Sequence, residues 1–87
     1  MFSMFDNIKK MQELKRTQDA MKQERETAQK KGITVTVNGG MEIVQITLNP
    51  ALDQHEAEEA LRHCINDAMQ SIQKRVAKMM MASGMGF

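Results

Sequence analysis

The chain has 87 residues with a formal net charge of +1, and only 3% of them are aromatic. A chain of this length forms one small domain, and its three aromatic residues, all Phe, lie at the chain ends, so none can anchor a central core. The single cysteine, Cys64, excludes an intrachain disulfide framework, so we expect the missing support to come from homodimerisation.

The first residues lack the basic and apolar regions of a signal peptide, and no apolar run approaches the roughly 20 residues of a membrane helix. We therefore expect a soluble, cytoplasmic protein. Charge alternates along the chain. Residues 1–31 carry eight Lys and Arg against five acids, residues 53–67 carry five acids against Arg62 alone, and residues 68–87 carry three bases and no acid.

Residues 3–31 are predicted to form one long helix. Apolar side chains recur every three or four positions, and this stripe weakens toward its end. Gly32 suits the position just after a helix, and Lys30 and Lys31 would offset the helix dipole. A row without acids lies opposite the stripe. A solvated face explains this row, and phosphate contact is the alternative. Its members are Lys9, Arg16, Gln23 and Lys30.

Residues 33–49 are predicted to form a β-hairpin, the only β segment that the pattern indicates. Asn38-Gly39-Gly40 suits a tight turn, and Pro50 ends the second strand because it has no N–H to donate. An isolated hairpin is marginal in water, so its apolar face needs a cover. That face consists of Ile33, Val35 and Val37 in the first strand and Val44, Ile46 and Leu48 in the second.

Residues 54–82 are predicted to form a second helix, with Asp53 as its N-cap. Acids at its start and bases at its end fit the helix dipole, so this charge pattern needs no ligand. We expect a flexible tail over residues 83–87; a sticky element for a partner is the alternative reading of its Met-rich sequence.

Catalysis and metal binding are not expected. His63 and Cys64 are sequence neighbours and point about 100° apart on a helix, so they do not form a pair. Cys64 lies on the apolar stripe, and His55 and His63 lack metal-ligand spacing. No Gly-rich phosphate loop opens a helix. We expect no enzymatic activity, no cofactor and no small-molecule substrate.

Four segments, in this order and spacing, resemble the YbaB/EbfC family of bacterial nucleoid-associated DNA-binding proteins, and the resemblance covers essentially the whole chain. The segments are Val35-Thr36-Val37-Asn38-Gly39, Ile46-Thr47-Leu48-Asn49-Pro50, Asn66-Asp67-Ala68 followed by Ile72, and Met81-Ala82-Ser83-Gly84-Met85.

This resemblance implies an α+β homodimer whose hairpins join into a shared sheet and whose long helices project like tweezers around double-stranded DNA. The implied dimer interface is Ile33, Val35, Val37, Val44, Ile46 and Leu48. The implied DNA contacts, carried over by region and charge, are Lys9, Lys10, Lys15, Arg16, Lys22, Lys74, Arg75 and Lys78. The family usually has a further strand before residues 35–39. Here Lys31-Gly32 leads straight into the strand at residues 35–39, so the expected sheet is smaller or paired differently.

Two other functions remain open from the sequence. A hairpin flanked by two helices is also typical of prefoldin-like chaperones or adaptors, in which Met-rich apolar ends could hold unfolded clients. A structural dimer without DNA binding is the third possibility, and the sequence pI near 7.9 favours it, since basic nucleic-acid domains lie above about 9. Assembly size separates DNA binding from the chaperone function: a dimer favours DNA binding and a hexamer favours the prefoldin-like chaperone.

Overall fold

The computed structural model describes residues 4–82, with side chains from residue 11 onward except at residue 13. The fold is α+β, with extents of 62 × 21 × 16 Å. Its three strands form one antiparallel sheet in the order β1-β2-β3. The elements are helix α1 (Met4–Gln23), strands β1 (Arg25–Lys30), β2 (Ile33–Asn38) and β3 (Ile43–Thr47), and helix α2 (Gln54–Ala82). The tail predicted at residues 83–87 lies outside the described residues.

The helix predicted over residues 3–31 is wrong at its end. It stops at Gln23, and Arg25–Lys30 forms the additional strand β1, so the predicted two-stranded hairpin is part of a three-stranded sheet. Lys31 and Gly32, with φ of 52° and 80°, join β1 to β2. Positive φ at both central residues is typical of the type I′ form of a two-residue hairpin turn. The strand that the family resemblance implied is therefore present.

Strand β1 forms because of its contacts with β2 and α2. Its sequence is polar and has no β-branched residue except Thr27, so local propensity does not favour a strand. It pairs with β2 along its whole length, from Arg25 opposite Asn38 to Lys30 opposite Ile33. Ala28 packs against the core beneath α2. Backbone pairing and burial together outweigh the weak local preference for a helix.

The hydrophobic core lies between β2 and α2. Three strand side chains, Ile33, Val35 and Val37, are fully buried. Burying each of these side chains stabilises the folded state by about 1.5–3 kcal/mol through the hydrophobic effect. Small side chains on the facing stripe of α2 let the helix approach the sheet, and the Cys64 Sγ lies 3.6 Å from the Ile33 carbonyl oxygen. The buried α2 residues are Ala60, Cys64, Ala68 and Ile72.

Helix α2 begins with the predicted N-cap. The Glu56 N–H donates to the Asp53 Oδ1 at 2.8 Å, which satisfies one of the free amide groups of the first turn. Neither described helix is long and apolar enough to cross a membrane.

Candidate functional site

Helix α1 carries exposed basic side chains, and one of them, Lys22, lies beside Gly40 in the turn between β2 and β3. Lys15, Arg16 and Lys22 are exposed, and so is every other described side chain from residue 11 to residue 20 except Thr17. Lys15 borders a surface groove of ≈ 620 Å³ that is otherwise lined by Met11, Gln12, Leu14 and Gln18. The side chains of Lys9 and Lys10 lie outside the described residues. Lys30, predicted to lie on the same helix, is in β1 instead.

The basic residues of α2 surround a second groove, of ≈ 380 Å³. Lys74, Arg75 and Lys78 line it together with Ser71 and Glu26 of β1. All three bases are exposed, and Lys74 and Lys78 are four positions apart on one helix face. Lys15 of α1 and the basic residues of α2 therefore border different grooves of a single chain.

Arg75 differs from its basic neighbours because two carboxylates bind it. Its Nε donates to the Glu26 Oε1 at 2.8 Å, and one terminal nitrogen donates to the Glu24 Oε2 at 2.9 Å. The bond to Glu26, and then the bond to Glu24, raise the pKa of the Arg75 guanidinium above its ordinary value. Elsewhere among the described side chains, Arg62 forms an ion pair with Glu59, and the His63 Nε2 lies 2.9 Å from the Asp67 Oδ2.

The six residues predicted to form the dimer interface fall into two groups. Ile33, Val35 and Val37 are buried within their own chain, beneath α2. The other three side chains, two in β3 and one just after it, are 39–58% exposed, because α2 packs on β1 and β2 and leaves β3 beyond its edge. This exposed group is Val44, Ile46 and Leu48, and Ile43 and Met41 extend it.

A model of the YbaB/EbfC DNA-binding family matches residues 1–86 of the chain. The chain belongs to this family. No curated protein and no solved structure matches it.

The motif segments of this YbaB/EbfC chain hold turns together. The Asn38 Oδ1 accepts from the Gly40 and Glu42 N–H groups at 2.9 and 3.2 Å, which closes the turn between β2 and β3. The Asn49 Nδ2 donates to the Lys31 carbonyl oxygen at 2.9 Å, which ties the segment after β3 to the turn between β1 and β2. Both asparagines thus have structural roles that need no ligand.

Three residues of this YbaB/EbfC chain contribute to the site although sequence reasoning does not select them. The sequence pattern places Glu24 and Glu26 in a helix, where residues two apart do not share a face; on extended chain they do, and both bind Arg75. The pattern indicates only a turn at Gly39. A Cβ there would collide with the backbone carbonyl of Met21, so this glycine lets the end of α1 pack on the hairpin turn.

Proposed function

We propose that the protein binds double-stranded DNA as a homodimer and is associated with the nucleoid in the cytoplasm. The observation that carries this proposal is the match to the YbaB/EbfC DNA-binding family over residues 1–86. The proposed contacts are the DNA phosphates, bound by Lys15, Arg16 and Lys22 on α1 and by Lys74 and Lys78 on α2. Lys9 and Lys10 would extend the contacts along α1.

The state of these side chains supports phosphate binding. All five described bases are exposed, and none forms an ion pair with another described side chain, so their charges are available to a polyanion. Helix α1 has 20 residues, which gives a rod about 30 Å long that can follow a nucleic-acid backbone. Contacts to phosphates fix position on the duplex without reading base sequence, so we expect little sequence preference.

The two edges of the sheet favour different roles, and this supports a dimer through β3. The β1 edge carries Arg25, Glu26 and Lys30, and charged side chains protect an edge from pairing with another chain. The opposite edge instead exposes Val44 and Ile46 of β3, with Leu48 just after the strand. Antiparallel pairing of two β3 strands about a twofold axis would satisfy the free backbone groups of both β3 edges and bring the two exposed apolar groups side by side. It would join the two sheets into one of six strands.

Fluorescence anisotropy of a labelled DNA duplex tests the proposal. We expect a Kd in the range of about 10⁻⁴–10⁻⁶ M at physiological salt, with affinity that falls steeply between about 50 and 200 mM salt. Arg16→Gln should weaken binding and reduce the slope of log K against log salt by about 0.9 for each phosphate that the variant no longer neutralises.

Arg62→Gln is the matched control, because it removes the same charge from the acidic half of α2, where Arg62 pairs with Glu59 at 2.8 Å. It should leave the salt slope unchanged. Absence of binding at low salt would refute the proposal. Equal effects of the two variants would mean that net charge alone, and not α1, determines affinity. A hexamer in place of a dimer would favour the chaperone alternative.

A further inference from the structure

Arg75 holds the junction between α1 and β1. Glu24 is the residue between Gln23, where the helix ends, and Arg25, where the strand begins. Its carboxylate binds Arg75 of α2 at 2.9 Å, and Glu26 at the start of β1 binds the same guanidinium at 2.8 Å. The guanidinium is planar and donates in two directions at fixed angles, so it holds both carboxylates in a defined arrangement.

The backbone of Glu24 is held as well. Its N–H donates to the Met21 carbonyl oxygen at 3.0 Å, and its carbonyl oxygen accepts from the Gly39 N–H at 3.0 Å. The end of α1 is therefore fixed to the turn between β2 and β3 through the backbone, and to α2 through Arg75. Beyond this junction, the described side chains of α1 from residue 11 to residue 20 are nearly all exposed. The direction of α1 depends on how its last turn is held.

We propose that Arg75 is a positioning residue, which sets the direction of α1 relative to α2, and that it does not contact phosphate. The inference rests on the proposed DNA binding only for its functional consequence. A phosphate approaching Arg75 would be repelled by the carboxylates of Glu24 and Glu26, which already engage two of the guanidinium N–H groups. Lys74 and Lys78, at the same groove, have no such partners among the described side chains.

The first arm of the test measures the direction of α1 without DNA. Spin labels are placed on cysteines introduced at Gln12 of α1 and Gln70 of α2, both exposed, and labelled chains are diluted into unlabelled ones. Cys64 stays in place, because it is buried and burial raises the pKa of its thiol, so it reacts poorly with the label. The distance distribution should be narrow in the wild type and broader in Arg75→Gln and in Arg75→Lys, which cannot bind both carboxylates in the same way.

The second arm measures DNA binding as a function of salt. Arg75→Gln should raise Kd about threefold to tenfold, since exposed ion pairs have modest effects, and should keep the wild-type salt slope. Lys74→Gln is the control. It should leave the distance distribution unchanged and reduce the salt slope by about 0.9 for each phosphate that Lys74 neutralises in the wild type. Circular dichroism checks that each variant folds.

The two arms separate failure of this inference from failure of the proposed function. A narrow distance distribution in Arg75→Gln would overturn the positioning role. A salt slope that falls in Arg75→Gln as it does in Lys74→Gln, or wild-type binding by Arg75→Lys, would make Arg75 a phosphate contact and overturn it too. If the wild type binds no DNA, the proposed function fails, and the distances alone decide whether Arg75 orients α1.

Discussion

Individual side chains in this protein act mainly on turns and junctions. Asn38 is 6% exposed and uses both ends of its amide, accepting from two backbone N–H groups and donating to the Glu42 Oε1 at 3.1 Å. The Asn49 Oδ1 accepts from the Ala51 N–H at 3.1 Å, two residues on. Such local bonds stabilise turns against the alternatives of helix and strand. Asn38 and Asn49 therefore stabilise the turns that join the strands and helices. The proposed DNA contacts come from other, charged side chains.

Cys64 gives a prediction about pH. Burial raises the pKa of its thiol above the ordinary value of 9.0. Above that pH the unfolded chain releases the proton while the folded chain keeps it, so the free energy of unfolding falls as pH rises toward the folded-state pKa, and it is unaffected well below pH 9.0. Denaturant unfolding from about pH 8 to about pH 10.5 should show a steeper loss in the wild type than in Cys64→Ala. Parallel curves would contradict this.

The elements differ in how their structure is determined. Strand β2 and helix α2 carry strong periodic patterns and bury them against each other. Helix α1 has a weak apolar stripe, and exposed side chains such as Met11 and Leu14 occupy it, at 70% and 58% exposure. Strand β1 has no apolar pattern at all and depends on β2 and α2 for its form. The described part of α1 therefore depends on its attachment at the turn between β2 and β3, since it buries little surface of its own.

Gly39→Ala tests that attachment. The added methyl group would collide with the Met21 carbonyl at the end of α1, so we expect a decrease of about 1–3 kcal/mol in the free energy of unfolding. Gly40→Ala is the matched control, because an added methyl group there would lie 3.0–3.2 Å from its nearest neighbours, which need to shift by only a few tenths of an ångström. Thermal unfolding by circular dichroism compares the two. Equal melting temperatures would mean that α1 does not pack on this turn.

At the scale of the whole molecule, charge and apolar surface are unevenly distributed. Bases outnumber acids on α1 and on the second half of α2, acids outnumber bases on the first half of α2, and apolar side chains are exposed on β3 as well as on α1. A net charge of +1 conceals this distribution. A duplex would meet the basic surfaces, and a second chain would meet β3. The proposed dimer matters for affinity because it doubles the number of phosphate contacts that act together.

Ile46→Asp tests the assembly. This side chain is 43% exposed on the proposed interface, so a charge there should prevent dimerisation while the single chain keeps its buried core. Light scattering after size exclusion should give the 9.9 kDa of one chain with a retained circular dichroism spectrum. Gln29→Asp places the same charge on β1, at the opposite edge, and should remain dimeric. A dimeric Ile46→Asp would place the interface elsewhere.

By itself, the sequence determined the segments whose pattern is local. The alternation of Ile33, Val35 and Val37 specified a strand with one buried face, and the Asp53 cap with the stripe behind it specified α2. The four motif segments carried the family, which the match over residues 1–86 confirmed. In strand β2 and helix α2, the residues that form the sequence pattern are the same ones that are buried or that cap the helix.

Only the tertiary structure decided the form of residues 25–30, the partners of Arg75 and which of the predicted interface residues are exposed. Residues 25–30 are polar and suit a helix locally, so their form depended on a free edge of β2 and a surface of α2. Arg75 reaches carboxylates 49 and 51 positions away in the sequence. Ile33 and Ile46 have the same alternating pattern, yet α2 covers one and not the other. Such outcomes depend on which distant element packs against a segment, and local periodicity carries no information about that.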